Sequence, residues 1–474
     1  MRKMSLFLAA LLAVMSAVSC GSEGTPDTTA LSGSETTTEA SEVDYLETLP
    51  EVNYDGYEFR IIAQSYDQRP NLPLADEETG EVLNDALYAR NVKTAEKYGF
   101  RLSDTELPDP KTTMEQQCLA GDSEYDLFLI PLNKLSVQTG KEYLTDFHSV
   151  PNLGLTGEWW DQDMLRDLDM GGGQYFMNGD IIFSVYDCLR VIMYSKGLAD
   201  DLGMSGFYET VRDGKWTVDH MHKLMTEAAA DLNSDGATDY QDRFGLLYNN
   251  NSYEAYLTSQ GVKLISTDGT LGFDTERFIK AYENLLKIFD KTMVFNYNED
   301  KYPGLTARQA IVTLFDNRQA LFFENGMSAA AQYMRTVANV DFGFLPLPKL
   351  DEEQDKYYSY VSMSAPVLTI PKTNGDRLGD TGFILEALCR ESSRSVVPVY
   401  FDTCFSAKYT RDEESYEMIL LATDSRMYDP GIIYNYGKID TTILEAAKAG
   451  DEAIKSKLDA IKSTVIEEYN KSVG

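Results

Sequence analysis

The stretch Trp159–Gly203, WWDQDMLRDLDMGGGQYFMNGDIIFSVYDCLRVIMYSKGLADDLG, is the joint of the chain. Its middle, GGGQYFMNGDIIFSVYDCLRVIMYS, predicts two largely apolar strands. Gly171, Gly172 and Gly173 permit a reversal there, because glycine takes positive φ without steric cost. Ser195 is placed to cap a short helix, SKGLADDLG, and Gly203 to stop it. Before this stretch lies a half with βα patterning that starts near Phe59; after it lies a longer half with its own strands and helices. A strand pair leading to a capped helix suits a crossover between two α/β halves. It equally suits an ordinary hairpin inside one domain, and the local pattern does not separate the two.

Working outward, Tyr57–Ala63 alternates with period two and predicts a strand. It runs into Gln64-Ser65-Tyr66-Asp67-Gln68-Arg69-Pro70. Ligands of α/β sheets bind beyond the carboxyl ends of strands, so Tyr66, Asp67 and Arg69 are ligand-binding candidates; a solvated loop is the competing account. Asn84–Lys97 predicts an amphipathic helix with Leu87, Tyr88, Val92 and Ala95 inward and Arg90 outward, stopped by Gly99. Met114–Ala120 predicts a second helix. Tyr125–Pro131 holds the continuous apolar run of a strand buried on both faces, closed by Pro131. Trp159 and Trp160 could stack on the apolar face of a sugar or simply fill a core.

In the second half Thr217 caps a helix whose Met221, Leu224, Met225 and Ala228 share a face. Then comes DLNSDGATDYQD, residues 231–242, which reads D-x-N-x-D-G-x-x-D-x-x-D. Calcium takes six to eight hard oxygen ligands. Asp231, Asn233, Asp235, the Ala237 carbonyl, Asp239 and Asp242 fill the ligand places, with Gly236 at the turn. Asp stands at the twelfth place where a bidentate Glu is standard, and a strand, Phe244–Tyr248, follows instead of a second helix. The expected site is a structural clamp for Ca²⁺ rather than a switch. An acidic surface turn is the alternative.

Tyr248 and Asn249, with Asn250 to Tyr253, bring amides, hydroxyls and phenols to that strand's exit, a set suited to a neutral polyol. Thr275 opens a helix to Asp290. Residues 314–325, LFDNRQALFFEN, predict a helix end and a strand with Glu324 and Asn325 at its exit as further ligand candidates. A strand is expected over Tyr357–Ile370, a helix over Asp380–Ser392, and helices around 412–424 and 441–471. Tyr434 near the tail is a last ligand candidate, with core packing as its competing role.

The amino-terminal residues supply an address. Arg2 and Lys3 precede an apolar run, Leu6–Val18, shorter than the roughly 20 residues a membrane span needs. It ends in Ala17-Val18-Ser19-Cys20, similar to a bacterial lipobox, so residues 1–19 are expected to be a lipoprotein signal peptide and Cys20 the lipid anchor. Residues 20–44 are polar and acidic and are expected to form a disordered tether. The net charge of −34 argues against phosphate-backbone binding, so nucleic acid is not an expected partner, and membrane attachment would be through the lipid only. Cys389 and Cys404 could pair; the spacing does not settle it.

The pattern WWDQD, the Gly-rich reversal, GDI, then Y-S-K and L-A-D-D-L-G resembles the extracellular solute-binding proteins of bacterial ABC importers, of the broad sugar-binding type. GEVLNDALYARN with EKYGF, LFDNRQALFFEN, and DEESYEMI with YDPGIIYN extend the resemblance over the mature chain. Arg318 stands where that family commonly has Gly. The resemblance implies an α/β, two-lobed periplasmic-binding-protein-like fold with about three interlobe crossovers. It implies lobe 1 from 45–165 and 357–394, and lobe 2 from 166–350 and 395–474. It further implies a monomer, without enzymatic activity, that captures a small solute, expected to be a sugar or oligosaccharide, and delivers it to an ABC permease. A secreted glycoside hydrolase with paired carboxylates is the runner-up, since 76 Asp and Glu make such pairs easy to find. A tethered carbohydrate-binding or sensory module is the third reading. No nucleophile motif, P-loop or dinucleotide fingerprint supports other chemistry.

Overall fold

Two large β-sheets and one two-stranded sheet organise the chain between Leu49 and Gly474. The computed structural model describes residues 44–65, 73–171, 173–329, 333–334, 341–403 and 412–474. Residues 49–474 cluster as one unit, and Tyr45–Thr48 before it is a single 3₁₀ turn.

The first sheet is built from β1 (Tyr57–Gln64), β2 (Phe100–Leu107) and β3 (Leu127–Pro131), and it closes with β10 (Pro366–Thr369) in the order β10-β3-β1-β2. β1 runs parallel to β2 and β3, and β10 runs antiparallel to β3. Every residue of β3 is buried, as its unbroken apolar run predicts. The helix Val82–Tyr98 ends at Gly99 with φ 68°. Its buried face is Leu87, Arg90, Asn91, Thr94 and Tyr98, which corrects the expected face. Arg90 is inside because it is saturated: its guanidinium donates to Ser392 Oγ at 2.9 Å, to Asn91 Oδ1 and to the Pro73 carbonyl. Burial lowers its pKa, to about 10.

The second sheet has the order β6-β5-β7-β4-β8, from β4 (Arg190–Ser195), β5 (Phe244–Tyr248), β6 (Val294–Asn296), β7 (Ala320–Gly326) and β8 (Phe342–Leu345). β5 is parallel to β6 and β7, while β4 is antiparallel to β7 and β8. Trp216 is wholly buried beneath this sheet, with its indole N–H on the Pro346 carbonyl at 2.8 Å. The expected caps are in place: Thr217 accepts from His220 N, Ser195 from Leu198 N and Thr275 from Phe278 N. Arg318 adopts φ 57°, the left-handed conformation that a Gly would take at that turn.

The joint differs from the expected strand pair. Gly171 has φ 64° and Met170 bridges Gly173, so the chain does reverse there. Only β4 of the two strands forms. Residues before it run as irregular chain that bridges Trp160 to Gly179 and Met177 to Leu368 of the first sheet, then as a 3₁₀ helix, Phe183–Cys188. That segment is held by single backbone bridges, with Met177 and Leu368 exchanging N–H···O bonds, rather than by a continuous ladder. The chain enters the second sheet at β4, directly after Leu189. The return passage is also broken: 357–370 holds β9 (Ser359–Tyr360) and β10, not one strand. The two passages run side by side through the Leu189–Val361 bridge. β9 pairs with β11 (Arg426–Met427), which draws the tail into the same joint. The tail's last region is two helices, Ile439–Lys448 and Ile454–Val473, separated by Gly450 with φ 65°.

Candidate functional site

Beyond the carboxyl ends of β5 and β7, where the two interlobe passages run, lies a cavity of about 230 Å³. Asn249 and Asn251 enter it from the exit of β5, and Asn325, Gly326 and Ser328 from the exit of β7. Asp187, Cys188 and Arg190 come from the first passage, and Ser362 and Ser364 from the second. Tyr333 adds an aromatic ring. Gly326 is required by this crossing: a Cβ there would stand 2.8 Å from the Asp187 carbonyl oxygen.

Arg190 anchors the cavity floor. Its side chain is 4% exposed and meets Glu324, which is fully buried, through Nε–Oε1 at 2.5 Å and Nη2–Oε2 at 2.7 Å. Nη2 also donates to Asn249 Oδ1 at 3.1 Å and Ser252 Oγ at 3.2 Å. Ser252 Oγ in turn donates to Glu324. Burial alone would lower the guanidinium pKa, but the charge and hydrogen bonds of Glu324 outweigh it and raise the value. Tyr297 receives Asn325 Nδ2 at 2.9 Å and Asn249 Nδ2 on its hydroxyl, so the two lining amides are oriented by one phenol. Asp187 accepts the Tyr400 hydroxyl at 2.7 Å.

The ligand candidates named from sequence therefore divide. Asn249 and Asn325 line the cavity. Glu324 stands behind Arg190 and holds it. Tyr248 is buried at 4% exposure among Tyr253 and Phe289, a core residue. Trp160 is 2% exposed, edge-on to Phe147, with its N–H on Glu386 Oε2 at 2.9 Å, so it is core and not a sugar platform. Trp159 is half-buried beneath the Arg390 guanidinium, 4.4 Å from its ring. Tyr434 is half-buried and packs on Phe176 and Tyr436. Tyr66, Asp67, Arg69, Cys20 and Cys404 lie outside the described residues. Asp187, Arg190, Ser362 and Ser364 were not anticipated. A single Arg inside the apolar run CLRVIMYS was the one legible signal, because a charge in a buried strand needs a partner.

The loop 231–242 is exposed apart from its last residues. Its side chains fold onto its own amides: Asp231 accepts Ser234 N and Gly236 N, Asp235 accepts Ala237 N, and Asp242 accepts Leu232 N and Asp239 N. Among the described residues no group of three or more His, Cys, Asp or Glu side chains converges as a metal site. The donor set is all hard oxygen, which fits calcium by chemistry. No described helix is long and apolar enough to cross a membrane.

No protein-family model matches the sequence, and no curated protein does either. Solved structures share the fold at low identity. A sugar transporter from Rhizobium etli in an open conformation is 13% identical, with TM-score 0.56 over 88% of this chain and 99% of that one. A cyclic α-maltosyl-1,6-maltose binding protein from Arthrobacter globiformis is 13% identical, with TM-score 0.54 over 88% of this chain and 100% of that one. An ABC substrate-binding protein from Listeria monocytogenes in complex with cycloalternan is 15% identical, with TM-score 0.52 over 89% of this chain and 100% of that one. The chain thus has the two-lobed α/β fold of these binding proteins.

Proposed function

We propose that this chain is an extracytoplasmic solute-binding lipoprotein, which takes a sugar or oligosaccharide in the interlobe cavity and hands it to an ABC permease. One observation carries the reading: amides, hydroxyls and a guanidinium converge beyond the carboxyl ends of β5 and β7, where both interlobe passages meet. Short passages of chain joining two lobes suit hinge closure on a ligand. The shared fold supports the same reading, since the neighbours are described as sugar or substrate binders. Cys20 would carry the lipid, with residues 20–44 as the tether.

The site favours a binder over a hydrolase. Glycoside hydrolysis needs two carboxyl groups flanking one bond. Asp187 is the one carboxylate among the described lining residues, and it accepts the Tyr400 hydroxyl. Glu324 is committed to Arg190. Calcium in loop 231–242 belongs to the proposal as a structural ion: the carboxylates keep second lone pairs, and binding would draw them together.

The test is a thermal-shift and calorimetric screen of mature protein against monosaccharides, oligosaccharides, amino acids and peptides. A saturable shift with the sugar recovered intact supports a receptor. Recovery of cleaved sugar would move the assignment to a hydrolase, and no shift from any saccharide would remove it.

A further inference from the structure

Tyr297 does not line the cavity, yet it sets two residues that do. It follows β6 directly, and in the sheet β5 lies between β6 and β7. Its long side chain bridges those two strand spacings, about 9–10 Å, and lies edge-on to Phe323 with ring centroids 6.1 Å apart. Phe323 and Asn325 are two residues apart on β7 and share a face. The hydroxyl is thereby brought to Asn325 Nδ2 at 2.9 Å and to Asn249 Nδ2. Burial pushes the phenol pKa up, so the hydroxyl stays neutral.

Neither amide can turn over. Asn249 Oδ1 accepts from Arg190 Nη2 at 3.1 Å and from Asn251 N at 3.0 Å, and Asn325 Oδ1 accepts from Gly326 N at 2.7 Å. A flipped amide would set N–H against N–H. Each oxygen is therefore turned to the protein. With one hydrogen of each Nδ2 on the phenol, one N–H per amide is left over, and both amides line the cavity. A core tyrosine needs one partner for its hydroxyl; this one takes two, and both are cavity residues. They depend on it unequally. Asn249 is also held by Arg190, whereas Asn325 is otherwise held by the backbone amide of the next residue.

We propose that Tyr297 is a positioning residue for the ligand: it holds Asn249 and Asn325 so that each offers one N–H to an acceptor oxygen in the cavity, a hydroxyl or ring oxygen of a saccharide. The saccharide is taken from the function proposed above.

Calorimetry on mature protein uses glucose, xylose, maltose and maltotriose as probes, with urea unfolding to count folded molecules. Tyr297→Phe keeps the ring and removes the hydroxyl. It should still unfold cooperatively and weaken the tightest-binding probe about 3- to 30-fold, since one neutral hydrogen bond is worth roughly 2- to 10-fold. Asn325→Ala should weaken that probe about 2- to 10-fold. In the Asn325→Ala background, Tyr297→Phe should cost clearly less than it does alone, because one of its two amides is gone. A tyrosine with a structural role only would give the same factor in both backgrounds. Asn325→Asp keeps the shape, and the phenol can turn to donate to it, but the cavity then meets an acceptor instead of a donor. It should bind the probe no better than Asn325→Ala. Equal factors for Tyr297→Phe in the two backgrounds, or wild-type affinity in Asn325→Asp, would overturn this inference and leave the receptor reading standing. Binding of none of these saccharides by the wild type would remove both.

Discussion

Asp429 is a buried carboxylate that should make this protein more stable in mild acid, and Asp429→Asn should remove that effect. The residue is 3% exposed and ties the tail helix Pro430–Tyr434 to the second lobe. Oδ1 accepts Gly431 N at 2.7 Å and Ile265 N at 3.3 Å, and Oδ2 accepts Leu264 N at 2.5 Å. Desolvation raises its pKa to about 6, and the three amides only partly offset it. An unfolded Asp titrates near 3.9. Between those values the folded state binds more protons than the unfolded state, so stability rises as pH falls through 6 and continues rising toward 4. At 1.36 kcal/mol per unit, a change from pH 7.5 to pH 5 should add about 1.4 kcal/mol from this group. Asn does not titrate, so the variant should lose that increment whatever its absolute stability. Urea unfolding at pH 5, 6 and 7.5 measures both proteins. The reasoning fails if the two show the same change in stability across that range, or if the wild type loses more stability than the variant on acidification.

Three further changes test other parts of the account. Trp160→Ala empties a buried ring site and should cost about 3–5 kcal/mol by urea unfolding, with sugar affinity per folded molecule unchanged; a cost below about 1 kcal/mol with lost binding would return the ring to the ligand. Arg318→Gly relieves a left-handed backbone at φ 57° and gives up an ion pair to Asp201 that is half-exposed on both sides. The strain is worth about 1–2 kcal/mol and the exposed pair about 0–1 kcal/mol, so chemical denaturation should find the variant unchanged or up to about 2 kcal/mol more stable; a clear loss would mean the pair outweighs the strain. Excess Ca²⁺ over chelator should raise the thermal midpoint by about 1–3 °C, and Asp235→Asn should abolish the difference. An equal response in both proteins would place any calcium elsewhere than loop 231–242.

The elements that could be read from the sequence are those whose determinants are local. β3 announces itself by a continuous apolar run, and Thr217, Ser195 and Thr275 by the hydroxyl a helix start requires. The residues that were misplaced depend on partners far along the chain. Arg90 looks like a surface residue on a helical wheel and is inside because Ser392 and the Pro73 carbonyl, 302 and 17 residues away, accept its protons. Residues 174–188 are apolar enough for a strand, yet they make only isolated bridges to Trp160 and Leu368 and then a 3₁₀ helix. The site shows the same division at single-residue scale. Tyr248, the last residue of β5, faces the core, while Asn249 one step later faces the cavity. Alternation along a strand sends neighbours to opposite sides, so naming the strand exit without its phase yields one site residue and one core residue. On β7 both faces reach the site: Asn325 lines the cavity, and Glu324 on the other face holds the lining residue Arg190. The phase is fixed by Arg190, which β4 brings opposite Gly326 in antiparallel register and beside Glu324 by its side chain. That pairing spans 134 residues of sequence. A lone Arg in an apolar strand therefore says that a buried acid exists without saying which one, and only the sheet order turns that demand into a cavity floor.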